Sequence, residues 1–168
     1  MQEQLIGKIE NILFAAGDSV GISELAQVLE ISEAELEEVL EQEEARREKG
    51  YGLVIRRLED RVQLATRPQY AKLLLEIFGS KSGEELSRAM LETLSIIAYK
   101  QPITRGEIEE LRGVNTSYIL NALQEKGLIT EAGRKEALGR PILYATSEEF
   151  LRHFGLSSTK DLPVLPEE

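Results

Sequence analysis

The sequence predicts an α+β protein, mainly α-helical with small β-hairpins, in which one small domain occurs twice in tandem. The first observation is an internal repeat: at an offset of 83 residues the first half matches the second, so that Glu24 falls on Glu107. Further along, the segment 64–70 matches 144–150 at an offset of 80, as one insertion or deletion within a common fold would produce. The second is length, because 168 residues lie between one domain and two. Two copies are too few for a solenoid, which buries its faces only over several stacked repeats.

The first predicted domain, residues 1–79, begins with three helices. Apolar residues at helical spacing predict a helix over 4–16, which Gly17-Asp18 ends. A short extended piece around Val20 leads into a short second helix. Ser32 and Glu35 form a capping-box pattern that opens a third helix running to Gly50.

A hairpin and a closing helix complete this domain. Strands at 53–55 and 62–64 flank a loop at 57–61, and Pro68 suits the first turn of a helix. The apolar stripe predicted for this helix consists of Tyr70, Leu73, Leu74, Ile77 and Phe78.

The second predicted domain, residues 86–155, repeats this order after a linker at 80–85, and an extended tail follows at 156–168. A second capping-box pattern, Thr104 with Glu107, opens its second helix. Its predicted elements are helices at 87–99, 105–112, 116–126 and 147–154 and strands at 128–132 and 141–145 around a loop at 133–140. Three helices followed by a two-stranded wing is the winged-helix arrangement of the helix-turn-helix class. The fold class is therefore two tandem winged-helix domains.

The charge distribution opposes binding to nucleic acid. The net charge is −10, and both halves are acidic, with 16 acids against 10 bases in residues 1–83 and 14 against 10 in 84–168. A polyanion is repelled by this balance. The third helix, which reads DNA in many winged-helix proteins, carries eight glutamates over 33–49. These glutamates are interpreted as a solvated acidic face.

The wings carry more positive charge than the helices. The basic residues are Arg56, Arg57 and Arg61 in the first and Arg134, Lys135 and Arg140 in the second. They leave phosphate contact open as an alternative, although Glu59, Asp60 and Glu136 lie among them. A fold associated with DNA but lacking its charge indicates a domain reused for protein contacts.

Residue types required for catalysis are scarce in this chain. There is no cysteine or tryptophan, and the single histidine is His153, beside two phenylalanines on a predicted helix. The glycines do not follow a phosphate-binding spacing. We therefore expect no catalytic, cofactor or metal site. The absence of a basic leader and of a long apolar run leads us to expect a soluble cytoplasmic protein.

Several blocks of the second half resemble the bacterial ScpB family, segregation and condensation protein B. They are residues 92–115, 127–135, 139–150 and 154–163, and the pieces 12–17 and 63–66 are similar but less distinctive. Tyr118 departs from the family's pattern by its size. The resemblance implies a non-enzymatic subunit of the Smc condensin-like complex, which acts in chromosome condensation and partition.

The resemblance also implies partners. It predicts a homodimer, which we assign to residues 1–79, and binding to the kleisin ScpA, with Smc and the nucleoid reached through ScpA. From composition and charge we further expect no cofactor, small-molecule substrate, membrane contact or strong direct DNA binding. The alternatives are a winged-helix transcription regulator that binds DNA through its wings and a scaffold for another partner.

Kleisin recognition is predicted mainly on the second unit. The candidate contacts share the family-like blocks and are Tyr99, Thr104, Arg105, Arg134, Arg140, Tyr144 and Phe154. Thr104 has an alternative role as a helix cap, and Tyr144 and Phe154 as core residues. The arginines are favoured because a guanidinium pairs bidentately with carboxylates.

Overall fold

The computed structural model describes residues 2–78 and 86–164, and the chain divides into two compact units, Met1–Lys81 and Ser82–Glu168. The predicted linker at 80–85 and the last four residues of the predicted tail lie outside the described residues. Among the described residues, no helix is long and apolar enough to cross a membrane.

The first unit has the predicted order of helices and strands. Its elements are α1 (Gln2–Ala16), β1 (Val20–Gly21), α2 (Ile22–Leu29), α3 (Glu33–Arg47), β2 (Leu53–Leu58), β3 (Arg61–Thr66), a 3-10 turn (Pro68–Tyr70) and α4 (Ala71–Phe78). The three strands form an antiparallel sheet in the order β1-β3-β2. The apolar stripes of α1, α2 and α3 meet this sheet in one core around Leu13, Leu25, Leu36, Leu40 and Val62.

Three local predictions for the first unit need correction. The hairpin is tighter than predicted, because β2 continues to Leu58 and β3 begins at Arg61, with Glu59 at φ 54° in the turn. Helix α3 ends at Arg47 rather than Gly50. The backbone N–H of Glu35 donates to the Ser32 hydroxyl at 3.2 Å as predicted, but the return contact of the Glu35 carboxylate is with that hydroxyl.

The fourth helix differs most from its prediction. None of its residues is buried, and its large apolar side chains at 73, 75, 77 and 78 are 52–71% exposed. The predicted stripe is present in the sequence, but the described residues of the first unit do not cover it. This surface, Leu73, Leu75, Ile77 and Phe78, is called the α4 face below.

The second unit repeats the architecture. Its elements are α5 (Arg88–Lys100), β4 (Ile103–Thr104), α6 (Arg105–Arg112), α7 (Ser117–Glu125), β5 (Ile129–Arg134), β6 (Ile142–Thr146), α8 (Glu148–Phe154) and a 3-10 turn (Thr159–Asp161). The sheet order is β4-β6-β5, which matches the first unit strand for strand. Leu94, Ile97, Ile108, Leu120 and Leu123 form the buried centre, each at most 1% exposed. The common topology confirms the repeat read from the sequence.

Candidate functional site

The second wing, residues 129–146, is anchored to the start of α6. The Glu107 carboxylate accepts hydrogen bonds from the backbone N–H and hydroxyl of Thr104 at 2.9 and 2.7 Å, and pairs with the Lys135 ammonium at 2.5 Å. These donors, Lys135 first, lower the pKa of Glu107 to about 2. The predicted capping box is confirmed, and Lys135 extends it by joining the wing to the helix.

The loop of this wing has an unusual backbone. Gly139 and Arg140 adopt positive φ values of 80° and 41° in succession, a region that favours glycine. The Arg134 guanidinium donates to the Arg140 carbonyl at 3.1 Å across the base of the loop. Both arginine side chains are exposed. The structure thus brings the two predicted arginines together.

Two other candidates lie where the strands meet α6. Tyr144 is opposite Ile103 in the β4–β6 register and is only 9% exposed, and burial raises the pKa of its hydroxyl. Thr104 is 5% exposed because its side chain caps α6. Arg105 remains half exposed and pairs with Glu109 at 2.8 Å. Of these three, Arg105 offers the most surface to a partner.

Tyr99 and Phe154 lie at a groove of the second unit formed by α5, α8 and the chain after α8. The groove has a volume of about 290 Å³ and a largely apolar lining. The Tyr99 hydroxyl donates to the Pro163 carbonyl at 2.7 Å, which fixes the predicted tail across this surface as far as it is described. The candidate contacts therefore fall into three places, and their contact with a partner stays a prediction.

Two arginines of the first wing form ion pairs and hydrogen bonds within the first unit. The Arg57 guanidinium pairs with Glu37 and Glu44 of α3 at 2.5 and 2.8 Å. Arg61 donates to the Ser19 hydroxyl and carbonyl at 2.8 and 2.6 Å. The glutamates of α3 were interpreted as a solvated acidic face, but the wing neutralises part of that face. The wing arginines were left open as phosphate contacts, but Arg57 and Arg61 are already paired within the unit.

The same helix also contains a buried ion pair. Glu43 and Arg47 pair at 2.8 Å, with side chains 4% and 5% exposed, and Arg47 also pairs with Glu10 of α1. Its guanidinium lies 5.3 Å from the ring centre of Tyr51. These contacts connect α1 to the end of α3.

Some large apolar side chains are exposed that the sequence did not predict to be so. Leu138 in the second wing loop is fully exposed, and Tyr118 at the start of α7 is 84% exposed. The α4 face is a third example. The exposure of an apolar residue depends on which distant segments pack against it, and the sequence does not show this directly.

The described residues contain no cluster of three acidic or histidine side chains suited to a metal ion. His153 packs edge-on against Phe154 with ring centres 5.0 Å apart, which is a packing role.

Comparison of this sequence with known proteins identifies its family. Residues 7–165 match the family model described as segregation and condensation complex subunit ScpB. Segregation and condensation protein B of Caldanaerobacter subterraneus subsp. tengcongensis is 46% identical over 162 residues, 95% of this chain and 95% of that protein. That of Shouchella clausii is 48% identical over 172 residues, 99% of this chain and 88% of that protein. A crystal structure of a dimer of ScpB N-terminal domain complexed with ScpA peptide is 34% identical, covering 42% of this chain and 90% of that one with a TM-score of 0.40.

Proposed function

This chain belongs to the ScpB family of segregation and condensation complex subunits, and from that membership we propose that it is a non-enzymatic subunit that dimerises and binds the kleisin ScpA. The observation that carries the proposal is the family match over 7–165, which takes in both units. Through ScpA the subunit joins Smc at the nucleoid and acts in chromosome condensation and partition.

Dimerisation is assigned to the first unit, residues 1–79. The α4 face supports this, because four large apolar side chains of one short helix are more than half exposed. Exposed large apolar side chains concentrated on one short helix are uncommon on a monomer and mark interaction sites. In the proposed homodimer, the first unit of a second copy covers the α4 face.

Kleisin binding is assigned mainly to the second unit. Arg105, Arg134 and Arg140 present guanidinium groups at its surface, and Tyr99 and Phe154 border the apolar groove. Thr104 and Tyr144 are nearly buried, so they contribute mainly by holding α6 and the sheet in place. An acidic kleisin segment with apolar residues would complement this surface.

Arginine substitutions test this placement. Replacing Arg105, Arg134 and Arg140 singly with alanine should leave melting unchanged, and loss of a central one should weaken binding of a kleisin central fragment about thirtyfold. Thr130→Ala, an exposed change on β5, is a matched control. Wild-type affinity in all three folded variants would place the kleisin surface elsewhere.

The complex itself is tested in cells. A tagged copy of the chain should retrieve Smc from lysate when ScpA is present and lose Smc when ScpA is deleted. Retrieval of Smc without ScpA would contradict the proposed order of contacts.

A further inference from the structure

Leu138, at the tip of the second wing, is the most conspicuous apolar residue of this unit. Its exposed fraction is 104%, so the whole side chain lies in solvent. The loop that carries it joins β5 to β6 and has exposed basic residues on both sides. Water contact with a full leucine side chain is unfavourable, and burial against a partner would remove it.

The loop is held in one conformation before any partner arrives. Three backbone hydrogen bonds of 2.9 Å close it: Lys135 N–H to Pro141, Ala137 N–H to Lys135, and Arg140 N–H to Ala137. The Lys135–Glu107 pair fixes its base to α6. A preorganised loop does not have to be ordered on binding, which favours affinity.

The backbone at the tip is also strained. Arg140 occupies a left-handed conformation, φ 41°, directly after Gly139 at φ 80°. A residue with a side chain is disfavoured there, and such strain concentrates at functional positions.

The charges around Leu138 indicate what it binds. Among the described residues, neither Arg134 nor Arg140 has a carboxylate partner, whereas Lys135 and Arg105 are paired with Glu107 and Glu109. We propose that Leu138 is the apolar anchor of the second wing and inserts into an apolar pocket bordered by carboxylates on the protein partner of this unit. The proposal rests on the proposed function and adds to it the residue and the pocket chemistry.

Duplex DNA is the competing occupant, because wedge-like leucines enter the minor groove in some architectural proteins. Glu136 beside the tip, the Lys135–Glu107 pair and the net charge of −10 favour the protein. A duplex carries a far higher density of negative charge than a pocket with a few carboxylates, so the acidic balance opposes DNA more strongly than a pocket whose charges pair with Arg134 and Arg140.

The experiment measures affinity of full-length variants for a kleisin central fragment by fluorescence anisotropy. Leu138→Ala should weaken binding about tenfold or more and Leu138→Asp should weaken it further, while Leu138→Met stays within about threefold. Leu111→Ala removes a 58% exposed leucine from α6 and should stay within about twofold. Melting should be unchanged in the Leu138 variants, since that side chain is fully exposed.

The outcomes separate this proposal from the function on which it rests. If the wild type binds the fragment and Leu138→Ala binds equally well, the anchor is refuted and the proposed function stands. Equal losses in Leu138→Ala and Leu111→Ala would refute a specific wing anchor. If the wild type does not bind the fragment, the proposed function fails and the anchor assignment fails with it. A duplex-DNA affinity that falls only in the Leu138 variants would assign the wing to DNA instead.

Discussion

Replacing Arg47 with methionine should strongly destabilise the first unit. The guanidinium is 5% exposed and pairs with Glu43, which is 4% exposed. Methionine fills a similar volume without charge, so the Glu43 carboxylate would remain buried without its closest partner. Burial already disfavours the charged state here, since desolvation lowers the pKa of Arg47.

The expected cost follows from the burial of both partners. Breaking a buried pair on one side typically costs about 3–5 kcal/mol. Arg46 keeps a longer contact with Glu43 at 3.4 Å from the solvent side, which places the loss near the lower end, about 3 kcal/mol. For a unit of this size, that lowers the melting temperature by roughly 12 °C or more. Changing both residues, Glu43→Leu with Arg47→Met, should recover most of the loss because no charge remains buried.

Differential scanning calorimetry at pH 7 measures the effect on the full chain. Arg46→Met is the control, because this neighbouring side chain is 54% exposed and its pair should contribute less than about 1 kcal/mol. Equal losses of stability in Arg47→Met and Arg46→Met would contradict a role for the buried pair. So would a double variant as unstable as Arg47→Met alone.

Three other predictions concern the cap, the wing and the dimer. Thr104→Ala should cost the second unit about 1 kcal/mol in urea unfolding and Thr104→Ser much less, since serine also caps; equal losses would refute the cap. The lowered pKa of Glu107 adds stability that is complete above pH 4.5 and is lost as pH falls towards 2. Lys135→Gln should therefore reduce the loss of stability between pH 4.5 and 2 in an acid-unfolding profile. An unchanged profile would contradict a stabilising role for the Lys135–Glu107 pair. Ile77→Asp should convert the full chain from dimer to monomer in light scattering at tens of micromolar, whereas Lys72→Asp should leave it a dimer. A dimer in both variants would exclude the α4 face as the dimer interface.

Local patterns predicted the order of elements in both units. Helical spacing, the Gly17 stop and the caps at Ser32 and Thr104 each depend on residues a few positions apart, and the structure reproduces them. The internal repeat also anticipated a second sheet with the same strand order. Such features are encoded within single helices and hairpins.

Contacts between distant segments were not predictable in this way. Arg57 reaches Glu37 and Glu44 across 20 and 13 positions, and Arg61 reaches Ser19 across 42. Their charge in the sequence suggested free wing cations, but their partners depend on how β2 and β3 lie against the helices. Leu138 escaped notice for the same reason, because an isolated leucine in a loop becomes informative only when its exposure is known.

The proposed function requires that this chain bind a kleisin and not DNA. The test is size-exclusion chromatography with light scattering on the purified chain mixed with a kleisin central fragment. A duplex-DNA titration at about 0.15 M salt is run in parallel. We expect a stable complex containing the dimer and the fragment, and DNA affinity weaker than micromolar. No complex with the fragment, together with sub-micromolar DNA binding that falls steeply with salt, would contradict it and identify a DNA-binding regulator.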